Sequence, residues 1–389
     1  MNNERKASTK QKTLTLLLAT ALIGAFLYVS YKPSSNVSLI IKGVNIGANH
    51  LVAESSTWPK AYWVKPEPDF TWKQLQDLGV NVMHVGGGQE GNVWHIQANE
   101  NHPYDREYDA DWAENLDSFL AKADSYGIKV IFHTMGSHWG VGLGIVAPMH
   151  NYRRVDPYSS IPNALAVVDK LGGNNILTKN FFVDDRVLWW TPINEARIDY
   201  GEYDDVRVWA VAVLQRIKEY GGETSVCVND GSHTYPYTFP YIIPMIGEYV
   251  DYLQAHSYNH PELAAVCEQG PDADVYQPLY AKFSQDFEAM ANGHGPFDLD
   301  QIVFTEFGCG NGDWSGVLAS GYYGTTLFTT QHQQADYMRA AFDAAKKYGI
   351  TKLFWHDPVQ FGTDDRGFGF IEYDGTINME PYAVFKEGF

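Results

Sequence analysis

The feature that most constrains the fold is a sequence pattern that recurs along the chain: a helical segment, a glycine, and then a short apolar run rich in β-branched residues. Glycine adopts the left-handed conformation at the end of a helix without a Cβ penalty, so it is the expected junction between a helix and the next strand. This pattern predicts helices at 72–78, 110–126, 205–220 and 332–348, which end at Gly79, Gly127, Gly221 with Gly222, and Gly349. This recurrence indicates alternating helices and parallel strands.

The apolar runs indicate a full set of barrel strands. Four runs follow the glycines at 80–84, 128–133, 225–228 and 352–355, and four more lie at 39–45, 187–194, 250–256 and 302–306. Strands buried on both faces are typical of a parallel sheet covered by helices. Eight such units predict an α/β fold, the (β/α)8 TIM barrel. The alternative is an open, doubly wound sheet, which is disfavoured because no dinucleotide or phosphate loop follows the first strand.

The N-terminus predicts export. Four basic side chains within residues 5–12 precede an unbroken apolar or small stretch at 13–29, and a polar link follows at 31–38. No clean small-x-small cleavage site follows the stretch, which favours an uncleaved membrane anchor with its basic end inside, and a cleaved signal peptide is the alternative. We therefore divide the chain into a signal anchor with linker at 1–37 and a barrel domain at 38–389, outside the cytoplasm at the cell surface or secreted.

Composition narrows the class of ligand. The chain has 389 residues, with 47 acidic and 28 basic side chains and a formal net charge of −19. Phosphate binding needs a basic face, and basic residues do not cluster beyond the first dozen positions, so a nucleic-acid partner is not expected. Aromatic residues make up 14% of the chain, and aromatic rings stack well on the apolar faces of sugars.

Cysteine and histidine usage predicts neither a disulfide framework nor a metal site. Cys227, Cys267 and Cys309 are too few and too scattered for a framework, so we expect buried or free thiols with one bridge at most. The 13 histidines include no His-Glu-x-x-His motif, and the spacing of His133 and His138 suits neither a helix pair nor a zinc finger. We expect no metal and no cofactor.

Two glutamates stand where a barrel carries its chemistry. In this fold the residues at the C-terminal ends of the strands point into the active site. The fourth predicted strand ends at Glu195 and the seventh at Glu306, each directly after an apolar run. A charge there would cost several kcal/mol if it were buried without a partner. Two facing carboxylates are what glycosidic bond cleavage needs, with one protonating the leaving oxygen and the other attacking the anomeric carbon or activating a water.

These residues carry a resemblance to a known family. Asn194-Glu195 and Glu306 resemble the acid/base and the nucleophile of clan A retaining glycoside hydrolases, in particular family 5, which includes cellulases and endo-mannanases. Further motifs similar to that family are Lys42-Gly43-Val44-Asn45-Ile46-Gly47 on the first strand, His256-Ser257-Tyr258 on the sixth, Trp355 on the eighth, and the final segment 369–382. The resemblance covers most of the chain after residue 38.

The resemblance implies a role for each matching residue. Glu195 is implied as the acid/base, with a pKa raised toward about 6 to 7, and Glu306 as the ionised nucleophile. Asn194 is implied to bind the sugar 2-hydroxyl, and Tyr258 to donate a hydrogen bond to Glu306. The other implied roles are substrate binding by His256, close to the acid, and by Trp355 as the floor under the sugar being cleaved.

The sequence departs from family 5 in two places. The family has an arginine at the end of strand two that holds the nucleophile ionised, and here His84 takes that position. Either a protonated His84 fills the role or an arginine comes from elsewhere, with Arg197 the nearest in sequence. On strand three the usual acidic residue and histidine are replaced by the sequence 132–135. Trp139 and Trp314, in strand-to-helix loops, are further candidates for sugar subsites.

The sequence thus predicts a retaining β-glycosidase acting within a β-1,4-linked polysaccharide such as cellulose or mannan. Carboxyl groups about 5 to 5.5 Å apart mean retention of configuration, and roughly 6.5 to 9.5 Å mean inversion. A Schiff-base aldolase on the same fold would need a lysine at a strand end, yet Lys42, Lys129 and Lys352 stand early or midway in their strands. The other alternative is a non-catalytic polysaccharide-binding protein of the cell surface.

Overall fold

The predicted strands form a closed parallel barrel. In the computed structural model each strand pairs in parallel with two neighbours, and the first strand pairs with both the second and the last. The strands are β1 (Ile41–Gly47), β2 (Val82–Gly86), β3 (Lys129–His133), β4 (Val187–Arg197), β5 (Thr224–Asn229), β6 (Tyr252–His256), β7 (Ile302–Phe307) and β8 (Lys352–His356). Because an open sheet leaves two edge strands, this closure excludes the doubly wound alternative and confirms the TIM barrel.

The structure describes residues 40–47, 69–86, 112–133, 157–197, 203–229, 243–244, 246–258, 260–309, 312–313, 328–356, 358–360, 369–372 and 376–388. The predicted anchor segment at 13–29 lies outside these residues. Within them, none of the helices is both long enough and apolar enough to cross a bilayer.

Helices connect the strands in the order that the glycine punctuation predicted. They are α1 (Asp69–Asp77), α2 (Trp112–Ser125), α3 (Pro157–Leu171), α4 (Tyr203–Glu219), α5 (His260–Cys267), α6 (Tyr276–Gly293), α7 (Gln331–Tyr348) and α8 (Met379–Glu387). The first glycine after each of these four helices has a positive φ, at 76° for Gly79, 72° for Gly127, 85° for Gly221 and 73° for Gly349. The predicted reason for these glycines is therefore confirmed.

Helix α7 shows both ends of the pattern in full. Thr330 accepts a hydrogen bond from the Gln333 amide at 3.1 Å, and the Gln333 side chain accepts one from the Thr330 amide at 3.0 Å, which is a capping box. At the other end the Gly349 backbone amide donates hydrogen bonds to carbonyls of the last turn. The helix is thus fixed at both ends by local sequence.

Two separate apolar layers fill the fold. The inner layer lies inside the barrel and consists of Ile41, Val82, Ile131, Trp189, Val303 and Phe354. The outer layer packs the other face of the strands against the helices and includes Val44, Phe304, Phe307 and Trp355. Side chains alternate between the two faces of a strand, so one strand can contribute to both layers, as β1 does with Ile41 and Val44.

An ion-pair network precedes β4. The Asp184 carboxylate accepts hydrogen bonds from the Arg186 backbone amide at 3.0 Å and from its guanidinium at 2.7 and 2.9 Å, and the Lys179 ammonium lies 2.8 Å away. Burial opposes ionisation of Asp184, but the hydrogen bonds from Arg186 and Lys179 outweigh it and hold the pKa of this carboxyl well below its usual range. Asp117 completes the network through Arg186 and Lys179.

The cysteines are free thiols, as the sequence predicted. Cys227 and Cys309 are buried, and Cys267 is partly buried.

Candidate active site

The barrel interior changes from apolar to polar toward the C-terminal ends of the strands. On β6, Tyr252 packs against the inner apolar layer, Gln254 follows, and His256 ends the strand. On β1 the same progression runs from Ile41 to Asn45. Because these residues share the inward face, the strand ends bring a cluster of polar side chains together at one end of the barrel.

A β-bulge in β7 places Glu306 in this cluster. Phe304 and Phe307 both belong to the outer layer and stack with ring centroids 5.5 Å apart, although residues three apart on a regular strand face opposite sides. The pairing with β6 passes from Ala255↔Phe304 to His256↔Glu306, so one residue of β7 is skipped. The extra residue turns both Thr305 and Glu306 toward the interior. Bulges re-aim side chains in this way next to active sites.

Both carboxylate oxygens of Glu306 have donors. The Asn45 amide donates to Oε1 at 2.8 Å, and the Tyr258 hydroxyl donates to Oε2. Two histidine Nδ1 atoms also approach Oε2, at 3.4 Å from His256 and 3.8 Å from His356. Glu306 is only 7% exposed, so these contacts take the place of the water that would surround an exposed carboxylate. The carboxylate is therefore fixed in orientation.

His84 contacts Asn45, not Glu306. The Asn45 amide nitrogen lies 3.2 Å from Nδ1 of His84 while it donates to Glu306. An amide nitrogen has two hydrogens and accepts none, so Nδ1 of His84 accepts the second hydrogen and the ring is neutral. This geometry disfavours a protonated His84 in the role of the strand-two arginine. His84 is also fully buried, which excludes it as a direct sugar contact.

Gly43 makes room for this arrangement. A Cβ atom on Gly43 would lie 2.2 Å from the Phe354 ring, which fills the space beside β1. The His84 ring meets the edge of the same Phe354 ring at a centroid distance of 6.1 Å. The glycine of the first-strand motif thus allows Phe354 to support His84.

A buried polar chain runs below His256. Its Nε2 lies 2.9 Å from Thr305 Oγ1, and Thr305 lies 3.4 Å from Gln254 Oε1. Gln254 Nε2 in turn lies 2.9 Å from the Thr191 hydroxyl and 2.8 Å from the Ser225 hydroxyl. All of these side chains are at most 1% exposed. His256 is therefore held between Glu306 and Thr305, and its full burial contradicts the expectation that it binds substrate directly.

Helix α7 supports the chain directly after β6, which carries Tyr258, and directly after β7, the strand of Glu306. The Tyr337 hydroxyl donates to the Tyr258 carbonyl at 2.8 Å and accepts from the Gly308 amide at 3.3 Å. Burial raises the pKa of Tyr337 well above its usual value, so this hydroxyl keeps its proton. It thereby links the chain after β6 to the chain after β7.

No family model matches the chain, and no curated protein matches it. Solved structures do match. The family 5 xyloglucanase from Paenibacillus pabuli aligns with a TM-score of 0.59 and 16% identity over 90% of this chain and 99% of its own.

Two further structures agree with that match. A broad-specificity endoglucanase of the GH5-4 group from Clostridium cellulovorans aligns with a TM-score of 0.57 and 12% identity over 91% of this chain and 97% of its own. The exo-β-1,4-mannosidase Op5Man5 from Opitutaceae bacterium strain TAV5 aligns at 0.57 and 14% identity over 90% of this chain and 59% of its own. The chain has the fold of the family 5 glycoside hydrolases. The resemblance read from its motifs is thus matched by its backbone.

Trp355 differs from the role that the family 5 resemblance implied. It is fully buried in the outer layer, with ring centroids 5.3 Å from Phe307 and 6.0 Å from Tyr337. Its pairing with Val44, another outer residue, fixes this facing. Trp355 therefore has no free face for a sugar, and its interpretation as the floor of the site is wrong.

His356 is the site residue that sequence reasoning missed on β8. It pairs with Asn45, faces the interior, and is 26% exposed at its side chain. Its ring also meets the Tyr258 ring edge-on at 5.7 Å. Once the structure shows that Phe354 faces inward, strict alternation places residue 356, not residue 355, at the barrel mouth.

Strand β4 carries the predicted acid/base. Its pairing with β5 shifts twice, between Trp190 and Ile193 and between Ile193 and Ala196, so Asn194 and Glu195 lie at an irregularity of the strand. The side chains of residues 193–197, including Arg197, lie outside the described residues, as do Trp139 and Trp314. Among the side chains that are described, no three His, Cys, Asp or Glu residues are grouped to hold a metal ion.

Proposed function

We propose that this protein is a glycoside hydrolase that cleaves O-glycosidic bonds. The observation that carries the proposal is Glu306, a nearly buried carboxylate at the C-terminal end of a barrel strand with donors on both oxygens. A nucleophile needs this fixed orientation, because holding the reacting groups in place removes much of the entropic barrier. The family 5 fold supports the same assignment.

We propose a double displacement. Glu306 attacks the anomeric carbon with one carboxylate oxygen while Glu195 donates its proton to the departing oxygen, which leaves a glycosyl ester on Glu306. Glu195 then takes a proton from water, the water attacks the anomeric carbon, and Glu306 leaves as the free carboxylate. Asn194 binds the sugar 2-hydroxyl through both steps. Configuration at the anomeric carbon is retained.

The proposed substrate is a β-1,4-linked polysaccharide, cleaved within the chain. The structural neighbours include a xyloglucanase, an endoglucanase and a β-1,4-mannosidase, which supports this class. A neutral glycan also suits a chain with a net charge of −19, since that charge repels polyanions. Trp139 and Trp314 are the proposed stacking residues of the sugar subsites.

We propose that residues 1–37 direct export and hold the enzyme at the cell surface, or are removed on secretion. Either location gives access to polymers too large to enter a cell. Fractionation of cells that express the full chain distinguishes the two, because an uncleaved anchor sediments with membranes and a cleaved product does not.

The decisive experiment compares Glu195→Gln and Glu306→Gln with the parent on aryl β-glycosides, glucan and mannan. The matched control is Glu268→Gln, which removes an exposed carboxylate. We expect each site variant to lower kcat by about 10²- to 10⁴-fold and the control to match the parent. Hydrolysis monitored by proton NMR is expected to release the anomer with the configuration of the substrate.

Two results would contradict the proposal. Equal activity of Glu306→Gln and Glu268→Gln would remove Glu306 from the reaction. A parent that binds the polymers without cleaving them would establish the non-catalytic binding protein instead.

A further inference from the structure

The structure suggests where the positive charge beside Glu306 comes from, a question that rests on the proposed function because the family 5 arginine is absent here. The Asn45 contact already identifies His84 as neutral. Among the described side chains near Glu306, the next candidate is His256, and its protonation is decided by the direction of the hydrogen bonds in the polar chain below it. That direction follows from counting hydrogens.

The count begins at a triangle of three polar atoms. Thr191 Oγ1 and Ser225 Oγ lie 2.8 Å apart, and Gln254 Nε2 contacts them at 2.9 and 2.8 Å respectively. Three contacts this short need three hydrogens. The two hydroxyls supply two at most, so an amide oxygen at the third corner would leave one contact without a hydrogen. The amide nitrogen of Gln254 therefore occupies that corner, and Oε1 faces Thr305.

This orientation sets the next two bonds. Gln254 is 1% exposed, and a buried carbonyl oxygen without a donor costs free energy, so the Thr305 hydroxyl gives its single hydrogen to Gln254 Oε1. Thr305 must then accept at its other contact, the 2.9 Å one with Nε2 of His256. Nε2 of His256 therefore carries a proton.

The second nitrogen of the ring faces a carboxylate. Nδ1 of His256 lies 3.4 Å from Glu306 Oε2, and a neutral ring with its proton on Nε2 would direct a lone pair at that negative oxygen. A proton on Nδ1 converts this repulsion into an ion pair. We propose that His256 carries protons on both ring nitrogens and supplies the positive charge that holds Glu306 ionised, in place of the strand-two arginine.

The other titratable groups near this pair are assigned different roles. Tyr258 donates to Oε2 as a neutral hydroxyl, and His84 is neutral behind Asn45. Nδ1 of His356 is also buried but approaches the same oxygen at the longer distance of 3.8 Å, and the His356 side chain as a whole is 26% exposed. Among the described side chains that face Glu306, His256 is the buried one whose hydrogen bonds require the second proton, which makes it a positioning residue for the nucleophile.

The first test reads the protons directly and needs no activity. The full chain is labelled with ¹⁵N-histidine, and the ring-nitrogen resonances of His256 are assigned with His256→Asn as the reference. We expect two protonated nitrogens at pH 7 in the parent, and loss of the Nδ1 proton in Glu306→Gln, where a buried cation would have no counter-ion. A single protonated nitrogen in the parent, or two in Glu306→Gln, would overturn the proposal.

The second test compares two matched variants in the hydrolysis assay. His256→Asn and His84→Asn both replace a fully buried imidazole with an amide that can occupy the Nδ1 position, but only the first removes a charge. We expect His256→Asn to raise the acid-side midpoint of kcat/KM by about one to two pH units, and His84→Asn to leave that midpoint in place. His356→Asn is assayed as a third variant. Equal shifts of the midpoint in His256→Asn and His84→Asn, or a shift in His356→Asn alone, would refute the assignment.

The two tests fail separately. A parent without hydrolysis removes the proposed function, and the NMR measurement still decides the protonation of His256. Circular dichroism checks that the variants fold, and where His256→Asn does not, the parent and Glu306→Gln spectra decide alone.

Discussion

Replacement of Trp355 separates a structural role from a substrate-binding role. The structure places this side chain fully buried between the barrel and helix α7. A buried tryptophan of this kind covers about 150 to 250 Å², which at about 25 cal/mol per Å² corresponds to roughly 4 to 6 kcal/mol. Measured Trp→Ala losses in cores are about 3 to 5 kcal/mol. We therefore expect Trp355→Ala to lower the free energy of unfolding by about 3 to 5 kcal/mol.

The smaller change Trp355→Phe keeps a ring against Phe307 and Tyr337. We expect it to cost less than Trp355→Ala, because part of the buried area and the edge-to-face contacts remain. The variant should retain the KM of the parent. A sugar platform would behave in the opposite way, with stability kept and KM raised.

The assay is equilibrium unfolding in urea followed by circular dichroism, since removing a tryptophan alters the fluorescence signal itself. Trp209→Ala is the matched control, because Trp209 is 1% exposed in the same outer layer but lies on α4. We expect similar losses at both sites. A loss at Trp355 below about 1 kcal/mol, combined with a KM raised tenfold or more, would refute the assignment to the core.

Three further changes test other parts of the structure. Gly43→Ala places a Cβ 2.2 Å from the Phe354 ring and should lower the free energy of unfolding by about 1 to 3 kcal/mol. Gly293→Ala, with open space around the new Cβ, should not lower it. Thermal unfolding compares the two variants, and equal melting temperatures would disprove the clash. Asp184→Asn should cost about 2 to 3 kcal/mol at pH 7. Because the pKa of Asp184 is depressed in the folded state, the extra stability of the parent is fully present above the unfolded pKa near 3.9 and disappears as the pH falls through the folded pKa. Urea unfolding between pH 6 and pH 2 should therefore show that the stability deficit of Asp184→Asn shrinks as the pH falls. A deficit that stays constant would count against the ion pairs. Tyr337→Phe leaves the Tyr258 carbonyl and a backbone amide without this hydroxyl, so we expect a loss of about 1 to 3 kcal/mol and a lower kcat, and an unchanged kcat would show that the loops are fixed without it.

The barrel was predictable because its signals are local. The glycine after each of four helices and the β-branched bias of the next run lie within about twenty residues of sequence, and every predicted strand is present in the closed sheet. The position of Glu306 at the end of β7 was predictable for the same reason.

The facing of individual side chains was not predictable. Trp355 and His356 are adjacent, and which of them enters the barrel depends on pairing with Val44 and Asn45, residues about three hundred positions away in the chain. A shift of one residue in pairing sends every side chain of a strand to the other face. The resemblance to family 5 supplied the tryptophan but not its orientation.

By itself the sequence determined the number and order of the barrel strands and the two glutamates at strand ends, since helix stops, strand propensity and apolar runs act over short distances. Only the tertiary structure decided that Asn45 holds Glu306, that His84 stands behind Asn45, and that a bulge turns Thr305 inward beside His256. Those relations depend on strand register and on the direction of hydrogen bonds between distant residues, and neither exists until the barrel closes.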